Sequence, residues 1–220
     1  MSLPPSDDAA GFVLAGGQSS RMGADKALVH FAGQPLIAHA LRVLRDAGLD
    51  TAIAGAASDL SAYAPVIADL SPGLGPLSGI CAAMTSSAAE WTVFVSVDLP
   101  LLPASLVRHL VFHAQVTGSP VTIASVNGFP QTFPAVIHRD TRATLKRELQ
   151  AGRLGCYAAY LASASELGGA ISVLPVELLV QPGQVVDQDG LPPARWFSNV
   201  NSSRDLDRAA AHRVASHRVI

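Results

Sequence analysis

The amino-acid sequence predicts an α/β protein built on a doubly wound, mostly parallel sheet. Short apolar segments alternate along the chain with longer segments whose apolar residues recur at helical spacing. Two of the short segments, 12–14 and 91–97, are apolar almost throughout, as expected of strands that are buried on both faces. Because this alternation is typical of βαβ units with right-handed crossovers, we expect helices on both faces of one sheet.

The first unit is predicted to be a strand, a long loop and a helix. The strand covers 12–14, and the loop that follows is rich in small, glycine and cationic residues and ends at Lys26. After a short extended piece, Pro35 starts a helix with an apolar stripe. Gly48 lies where a glycine commonly follows the last turn of a helix, so the helix is expected to end at residue 47.

The middle of the chain predicts two more short strands and a closely packed helix. The strands cover 51–54 and 66–68, and the second ends at Asp69. A loop rich in Pro and Gly then leads into a helix at 77–86. Because this helix consists largely of small residues, it can approach the sheet or a ligand closely.

The rest of the chain predicts an antiparallel excursion and further helices. Strands at 121–125 and 133–137 flank the turn Asn127-Gly128, so we expect a hairpin within the mostly parallel sheet. Residues 181–195, with Gly and Pro at several positions, are interpreted as an insertion without an assigned function. The other predicted elements are helices at 103–116, 141–151 and 203–215 and a strand at 171–176.

Length and composition favour a single domain at 11–220, preceded by a flexible arm at 1–10. Apolar residues make up 49% of the chain and charged residues 15%, which supplies an ample core. The net charge of −2 argues against a broad basic surface for nucleic acid, and no apolar run is long enough to span a membrane. The chain start lacks a secretory signal pattern and the two cysteines form no C-x-x-C motif, so we expect a cytoplasmic protein without disulfides.

The loop after the first strand has the chemistry of a nucleotide-binding site. Gly16 and Gly17 lack a Cβ atom, so consecutive backbone N–H groups can approach an anion closely. Arg21 and Lys26 lie in the same loop and would balance most of the charge of a triphosphate. The sequence therefore predicts a loop that holds nucleotide phosphates.

The glycine spacing fits neither of the two commonest nucleotide motifs. The P-loop pattern G-x-x-x-x-G-K-[ST] fails because Gly17 and Gly23 are one residue too far apart and Lys26 does not directly follow Gly23. The dinucleotide fingerprint G-x-G-x-x-G fails at its first step, in residues 16–18. A Rossmann-type oxidoreductase is therefore disfavoured.

Another family does match this loop. Residues 14–26 follow the pattern L-A-G-G-x-S-x-R-M-G-x-D-K. This pattern resembles the nucleotidylyltransferases and, within them, the molybdenum cofactor guanylyltransferases, also called the molybdopterin-guanine dinucleotide biosynthesis protein A family. The resemblance implies a Rossmann-like nucleotidylyltransferase fold, with catalytic roles for Arg21 and Lys26. The nucleotide contacts that it implies in this loop are Leu14, Ala15, Gly16, Gly17 and Lys26.

Two aspartates that follow predicted strands are further site candidates, because ligands of open parallel sheets bind beyond the carboxyl ends of the strands. Asp98 is the candidate catalytic metal ligand, since Mg²⁺ prefers hard oxygen ligands and offsets the repulsion between a carboxylate and a triphosphate. The alternative is a cap for the helix after Pro103. Asp69 equally fits an Asx-turn. The resemblance, which extends to G-P-L-x-G-I at 75–80, implies nucleotide contact for Asp69 and Asp98 and a backbone role for Gly79.

The acceptor-binding candidates are amide side chains far from this loop. Asn199 and Asn201, two positions apart, would point to the same side of an extended segment and present paired donors and acceptors to a flat polar ligand. The alternative is a strand-end and helix-cap motif. The resemblance, through G-x-P-Q at 128–131 and N-x-N-x-x-x-D-L at 199–206, implies that Gln131, Asn199 and Asn201 lie near the acceptor pocket.

The resemblance also implies a reaction. The enzyme would transfer GMP from Mg-GTP to the terminal phosphate of molybdopterin, or of its molybdenum-bearing form, and release pyrophosphate. Mg²⁺ is the expected cofactor, and a molybdoenzyme or its chaperone is a further expected partner. A phosphate nucleophile is largely ionised at neutral pH and needs no general base, which fits a chain without an evident Ser-His or Cys-His arrangement.

Three alternatives remain open. A cytidylyltransferase acting on the same pterin, or another sugar-phosphate nucleotidylyltransferase, would share the phosphate loop. The second glycine of the L-A-G-G segment at 14–17 favours the guanine branch, because the cytidine relatives usually read L-A-A-G. A nucleotide-binding adaptor for cofactor delivery would bind GTP without releasing pyrophosphate.

Overall fold

The computed structural model describes residues 8–16, 25–55, 60–69, 71, 73–201 and 205–206. Within these ranges the chain forms nine strands and seven α-helices, together with short 3₁₀ turns. The strands are β1 (Ala9–Leu14), β2 (His30–Phe31), β3 (Gln34–Pro35), β4 (Asp50–Ala54), β5 (Val66–Ile67), β6 (Trp91–Ser96), β7 (Val121–Val126), β8 (Phe129–His138) and β9 (Ser172–Pro175). The helices are α1 (Leu36–Asp46), α2 (Pro76–Ser86), α3 (Ala104–Thr117), α4 (Arg142–Gln150), α5 (Cys156–Glu166), α6 (Val176–Val180) and α7 (Pro193–Trp196).

Seven of these strands form one sheet in the order β5-β4-β1-β6-β8-β7-β9. Strand β8 runs antiparallel to both of its neighbours, whereas the pairs β4–β5, β1–β4, β1–β6 and β7–β9 are parallel. The carboxyl ends of all the strands except β8 therefore lie at the same edge of the sheet. The prediction of a doubly wound, mostly parallel α/β sheet with an antiparallel excursion is confirmed.

The core consists of two apolar layers, one on each face of the sheet. Alternate residues of a strand point to opposite faces, so Val13 joins the layer with α1 and α3, whereas Phe12 joins the layer with α2, α4 and α5. Phe12 lies opposite Phe94 in the register of β1 and β6, and their rings stack with centroids 5.6 Å apart. The short apolar strands are thus buried on both faces, as their composition predicts.

Local sequence signals explain where several elements begin and end. Helix α1 begins directly after Pro35, and Gly48, with φ +85°, follows its last turn. Helix α3 ends at Gly118, which has a left-handed conformation and donates its N–H to the carbonyl oxygen of Ala114. The β7–β8 connection is an Asn-Gly turn in which Asn127 also has a positive φ, the conformation that such hairpins require.

Some predicted boundaries differ from the structure. Strand β1 begins at Ala9, so the last two residues of the predicted arm belong to the sheet, and residues 1–7 lie outside the described residues. The extended piece predicted after Lys26 contains a 3₁₀ turn, Lys26–Leu28, before β2. Strand β8 spans ten residues and begins at Phe129, well before the predicted position 133. Of the predicted last helix, residues 205–206 are described and are helical, and the others lie outside the described residues.

Helix α5 was not predicted as an element. Its sequence, CYAAYLASASE, carries small residues on every side and so has no distinct apolar stripe. Ser163 lies on the buried face of the helix. Its hydroxyl donates to the carbonyl oxygen of Ala159 one turn earlier, so this buried polar group is satisfied within the helix. Among the described residues, no helix combines the length and the hydropathy that crossing a bilayer would require.

The segment interpreted as an insertion, 181–195, packs against the layer that contains α1 and α3. Val185 and Leu191 are buried in that layer, and the Trp196 indole donates to the carbonyl oxygen of Leu191 over 3.0 Å. The chain thereby returns from β9, at one margin of the sheet, to the carboxyl end of β6, where the backbone N–H of Val200 donates to the carbonyl oxygen of Asp98 over 3.0 Å.

Candidate functional site

Four chain segments meet beyond the carboxyl ends of the parallel strands. Gly16 follows β1, Gly55 follows β4 and Asp69 follows β5, and β6 leads directly to Asp98. Backbone hydrogen bonds continue the sheet past the strand ends and fix these segments relative to one another. They join Ala15 N to Ala54 O (3.0 Å), Gly55 N to Ile67 O (3.1 Å) and Val97 N to Leu14 O (3.2 Å).

Lys26 and Asp98 form the charged centre of this edge. The Lys26 ammonium group donates to Asp98 Oδ2 over 2.9 Å and to Asn201 Oδ1 over 2.5 Å. The side chains of Lys26 and Asp98 are only 21% and 19% exposed, so water screens this ion pair incompletely. The start of the lysine turn is fixed by Asp25, whose carboxylate accepts the backbone N–H of Ala27 over 3.0 Å. Predicted residues from three distant parts of the chain, Lys26, Asp98 and Asn201, are therefore in direct contact.

Asp69 occupies a position enclosed by glycines. A Cβ atom added to Gly55 would lie 3.3 Å from Asp69 Oδ1, one added to Gly79 would lie 3.2 Å from the same oxygen, and one added to Gly16 would lie 3.5 Å from Oδ2. Oδ1 is buried and has no hydrogen-bond partner among the described residues. Burial raises the pKa of Asp69 above its ordinary value of 3.8, because desolvation disfavours the charged carboxylate. A carboxylate kept at such a cost is a candidate for ligand contact.

Helix α2 begins beside Asp69. Gly75, with φ +77°, precedes Pro76 at the first helical position, and Gly79 follows within the first turn. Ser78 is fully buried, accepts the backbone N–H of Ser71 over 3.1 Å and donates to its carbonyl oxygen over 3.0 Å. This pair of hydrogen bonds ties the preceding loop to the helix, so the first turn of α2 is held against the site.

The other predicted site residues lie away from this charged centre or outside the described residues. Gly17 and Arg21 lie outside the described residues. Gln131 lies near the tip of the β7–β8 hairpin, at the same edge of the sheet, and its side-chain amide donates to the carbonyl oxygen of Phe129 over 2.9 Å. Asn199 is exposed on the segment that ends at Asn201. The roles predicted for these residues stay predictions.

The residues present fit a Mg²⁺ ion that is shared with a nucleotide. Magnesium in such sites is usually held by one or two carboxylates, with phosphate oxygens and waters completing its octahedral shell. Asp98 supplies a carboxylate just beyond the end of a buried strand, next to the Lys26 ammonium group, which could bind a phosphate. No group of three His, Cys, Asp or Glu side chains that could form an all-protein cage occurs within the ranges described here.

One residue of the site and one contact within it were not predicted. Gly55 ends an apolar strand in the same way as Gly16 does, and its buried, positive-φ backbone approaches Gly16 closely, which a comparison of the two strand ends could have indicated. The contact of Asn201 with Lys26 joins residues 175 positions apart, and no local sequence pattern reports a contact over that separation.

Known proteins resemble this chain in sequence and in fold. A family model described as the MobA-like NTP transferase domain matches residues 11–165. A probable molybdenum cofactor guanylyltransferase of Haloferax mediterranei is 30% identical over 214 residues, covering 93% of this chain and 94% of that protein. A molybdenum cofactor guanylyltransferase of Serratia proteamaculans is 36% identical over 154 residues, covering 66% of this chain and 76% of that protein.

A solved structure has the same fold. The crystal structure of molybdopterin-guanine dinucleotide biosynthesis protein A from Archaeoglobus fulgidus superimposes with a TM-score of 0.73 and covers 94% of this chain and 99% of that one. The sequence identity to it is 23%, so this likeness bears on the fold alone.

Proposed function

The chain belongs to the MobA-like NTP transferase family and is a nucleotidyltransferase, and we propose that it acts in molybdenum cofactor biosynthesis with GTP as donor. In this proposal GMP passes from Mg-GTP to the terminal phosphate of molybdopterin or of its molybdenum-bearing form. The new bond joins an oxygen of the acceptor phosphate to the α-phosphorus of GTP. The bond between the α-phosphorus and the oxygen that bridges to the β-phosphate breaks, and pyrophosphate leaves.

The observation that carries the proposal is the contact of Lys26 with Asp98 at the carboxyl end of β6. A triphosphate and a divalent cation need opposite charges from the protein, and here the two are adjacent. The ammonium group of Lys26 would bind phosphate oxygens, and a carboxylate oxygen of Asp98 would bind Mg²⁺. Ligand entry would thus give each charged group a new partner of opposite charge.

The chemistry asks this chain for positioning and charge stabilisation. The backbone after β1, with Gly16, would hold the phosphates in line, and Lys26 would balance charge that accumulates on the departing pyrophosphate. Bound Mg²⁺ would supply Lewis-acid polarisation of the reacting phosphate. The acceptor phosphate is already ionised at neutral pH, so no side chain needs to remove a proton.

The environment of Asp69 supports guanine as the base. A carboxylate accepts hydrogen bonds and donates none, which suits the N1–H and amino group of guanine. The corresponding edge of cytosine presents two acceptors beside its amino group, which a carboxylate would repel. Because Oδ1 is buried against Gly55 and Gly79, a base would contact Asp69 through its other oxygen, Oδ2. A cytidylyltransferase is therefore the second candidate.

The acceptor is proposed to bind between the β7–β8 hairpin and the segment that contains Asn199. Both lie at the edge of the sheet where β6 ends, so a phosphate held there could reach the nucleotide. Gln131, half-buried near the hairpin tip, would offer its amide to the acceptor. A molybdoenzyme or its chaperone as recipient of the product, and a cytoplasmic location, stay predictions.

The test is pyrophosphate release by the purified protein with Mg²⁺ and molybdopterin, comparing GTP with CTP. Release with GTP and not with CTP is the expected result. Release with CTP alone would reassign the enzyme to the cytidine branch. GTP binding without any release in the presence of the acceptor would instead favour the adaptor, and would reject the proposed reaction.

A further inference from the structure

The segment 197–201, which follows helix α7, runs to the charged centre of the site. Trp196 anchors this segment, since its side chain is only 1% exposed and its indole N–H is bonded to Leu191. Val200 is equally buried, and its N–H donates to the carbonyl oxygen of Asp98. Asn201 is therefore held directly beside the residue that is proposed to bind Mg²⁺.

Asn201 makes two hydrogen bonds of its own. Its side-chain oxygen accepts from the Lys26 ammonium group over 2.5 Å, and its backbone N–H donates to Asp205 Oδ2 over 3.0 Å. We propose that Asn201 is a positioning residue for Lys26, and that Asp205 orients Asn201 for this role. The inference rests on the proposed function, because it assumes that Lys26 binds the triphosphate of the donor nucleotide.

The geometry gives Lys26 a defined set of partners. An ammonium group has three N–H donors on a flexible four-carbon stem. Among the described residues Asp98 accepts from one donor and Asn201 from another, so the third donor can bind a phosphate oxygen. Because the stem is already ordered by two hydrogen bonds, binding of the nucleotide does not have to order it, and affinity rises accordingly.

The residue type at position 201 also fits this role. A neutral amide oxygen orients the ammonium group without adding negative charge beside the triphosphate. An aspartate would hold Lys26 as firmly but would repel the phosphates. We therefore expect Asn201→Asp to weaken nucleotide binding more than Asn201→Ala does.

This role differs from a direct contact of Asn201 with the acceptor, which the sequence motif implies. A positioning role predicts that Asn201 affects binding of the donor triphosphate through Lys26. A direct contact with the acceptor predicts that donor binding is unaffected. The two can be separated by measuring donor affinity in the absence of acceptor.

The experiment is a double-mutant cycle on GTP affinity, measured calorimetrically with Mg²⁺ and without molybdopterin. We expect Asn201→Ala to weaken GTP binding about tenfold in the wild-type chain and less than twofold in the Lys26→Ala background. GMP binding should be nearly unchanged, because GMP lacks the phosphates that Lys26 contacts. The matched control is Gln150→Ala, which removes an exposed amide side chain at the end of α4 and should leave GTP affinity unchanged.

Asp205 provides a rescue test. Asp205→Ala removes the acceptor for the backbone N–H of Asn201 and should weaken GTP binding several-fold. Asp205→Asn keeps a side-chain oxygen that can accept the same N–H and should restore binding close to that of the wild type. A role in folding alone would leave GTP affinity equal in the two variants.

The outcomes separate this inference from the proposed function. Two results would overturn the inference. One is that the effects of Asn201→Ala and Lys26→Ala on GTP affinity are independent of each other. The other is that Asn201→Ala changes only the KM for molybdopterin. A wild-type protein that releases no pyrophosphate would reject the proposed function alone. In that case a cycle on the melting temperature still tests the contact, since Asn201→Ala should lower it more in the wild-type chain than in Lys26→Ala.

Discussion

The Lys26 ammonium group lies 2.9 Å from Asp98 Oδ2, although the two residues are 72 positions apart in the chain. Asp98 follows β6, the middle strand of the seven-stranded sheet, and Lys26 begins the 3₁₀ turn that follows the glycine-rich loop. Both side chains are shielded from water on most of their surface. The fold has thus brought one cation and one anion together at the place where the proposed function puts a metal-bound triphosphate.

Lys26→Ala should remove most of the activity without unfolding the protein. In the proposed reaction Lys26 stabilises the leaving pyrophosphate, so its loss should lower kcat/KM for pyrophosphate release on the order of 10²–10³-fold. The free energy of unfolding should fall by about 1–2 kcal/mol, the scale of one charged hydrogen bond. Steady-state kinetics and urea unfolding measure the two effects. The control is Lys146→Ala, which removes the only other lysine of the chain, an exposed residue of α4. Near-normal rates in Lys26→Ala would contradict the catalytic role proposed for Lys26.

Asp98→Asn should change the dependence of the reaction on Mg²⁺. An amide oxygen is a weaker ligand for a hard cation than a carboxylate, so the Mg²⁺ concentration for half-maximal rate should rise at least tenfold. The wild-type reaction should stop when the metal is chelated and resume when Mg²⁺ is added back. The measurement is initial rate against free Mg²⁺ for both proteins. An unchanged Mg²⁺ midpoint in Asp98→Asn would mean that another group binds the metal.

The fold was predictable from sequence because its signals are local. Segments such as 91–97 are short, apolar and bounded by turn residues, and glycines such as Gly48 mark helix ends. Helix α5 was missed because small residues occur on every side of it, so that its buried residues form no distinct apolar stripe. Such a helix is distinguished from a loop by the area that it buries against neighbouring elements. A local sequence pattern does not show that area.

The part of the site that could be predicted from sequence is the part that lies at the ends of parallel strands, because these ends converge at one edge of the sheet. The motif around Lys26 and the aspartates after β5 and β6 could be assigned to one edge, because parallel strands end together. The enclosure of Asp69 by Gly55 could not, since it depends on how closely β4 and β1 approach each other beyond their last paired residues. The partner of Asn201 depends on the path of the whole segment from β9, which no short motif records.

Asp69→Asn should stabilise the protein while weakening nucleotide binding. The pKa of Asp69 is raised by burial, so the folded chain holds this proton more tightly than the unfolded chain does. The free energy of unfolding therefore falls as the pH rises from the ordinary value of 3.8 through the raised pKa, and it stays reduced above it. A neutral amide does not carry this cost, so the variant should exceed the wild type in stability at pH 7.

The stability difference between Asp69→Asn and the wild type should shrink as the pH is lowered towards 3.8. Urea unfolding between pH 3.5 and 8, together with GTP titration at neutral pH, measures both effects. Asp50→Asn, at an exposed position in β4, is the control for a general change in charge. A variant that is less stable than the wild type at pH 7 would show that the carboxylate of Asp69 has a stabilising partner.

Cys81 and Cys156 should be unreactive in the folded protein. Burial raises the pKa of the Cys81 thiol to about 11 and that of Cys156 to about 12, so the reactive thiolate is scarce at pH 8. A chromogenic disulfide reagent should modify the native protein slowly, and two thiols should react promptly after denaturation in urea. Fast reaction of either thiol in the native protein would show that the layer around α2 and α5 opens readily.

Gly55→Ala should cost both stability and nucleotide binding, and Gly33→Ala separates the two effects. Both glycines have nearly the same φ, +82° and +81°, so an alanine suffers the same backbone strain, about 1–3 kcal/mol, at either position. Nothing lies within 4 Å of a Cβ atom at Gly33, whereas at Gly55 the Cβ would lie 3.1 Å from Gly16 N and 3.3 Å from Asp69 Oδ1. Urea unfolding should therefore show both variants destabilised, and calorimetry should show GTP affinity reduced in Gly55→Ala and preserved in Gly33→Ala. Equal GTP affinity in the two variants would mean that the close approach of Gly55 to Gly16 is not needed for binding the nucleotide.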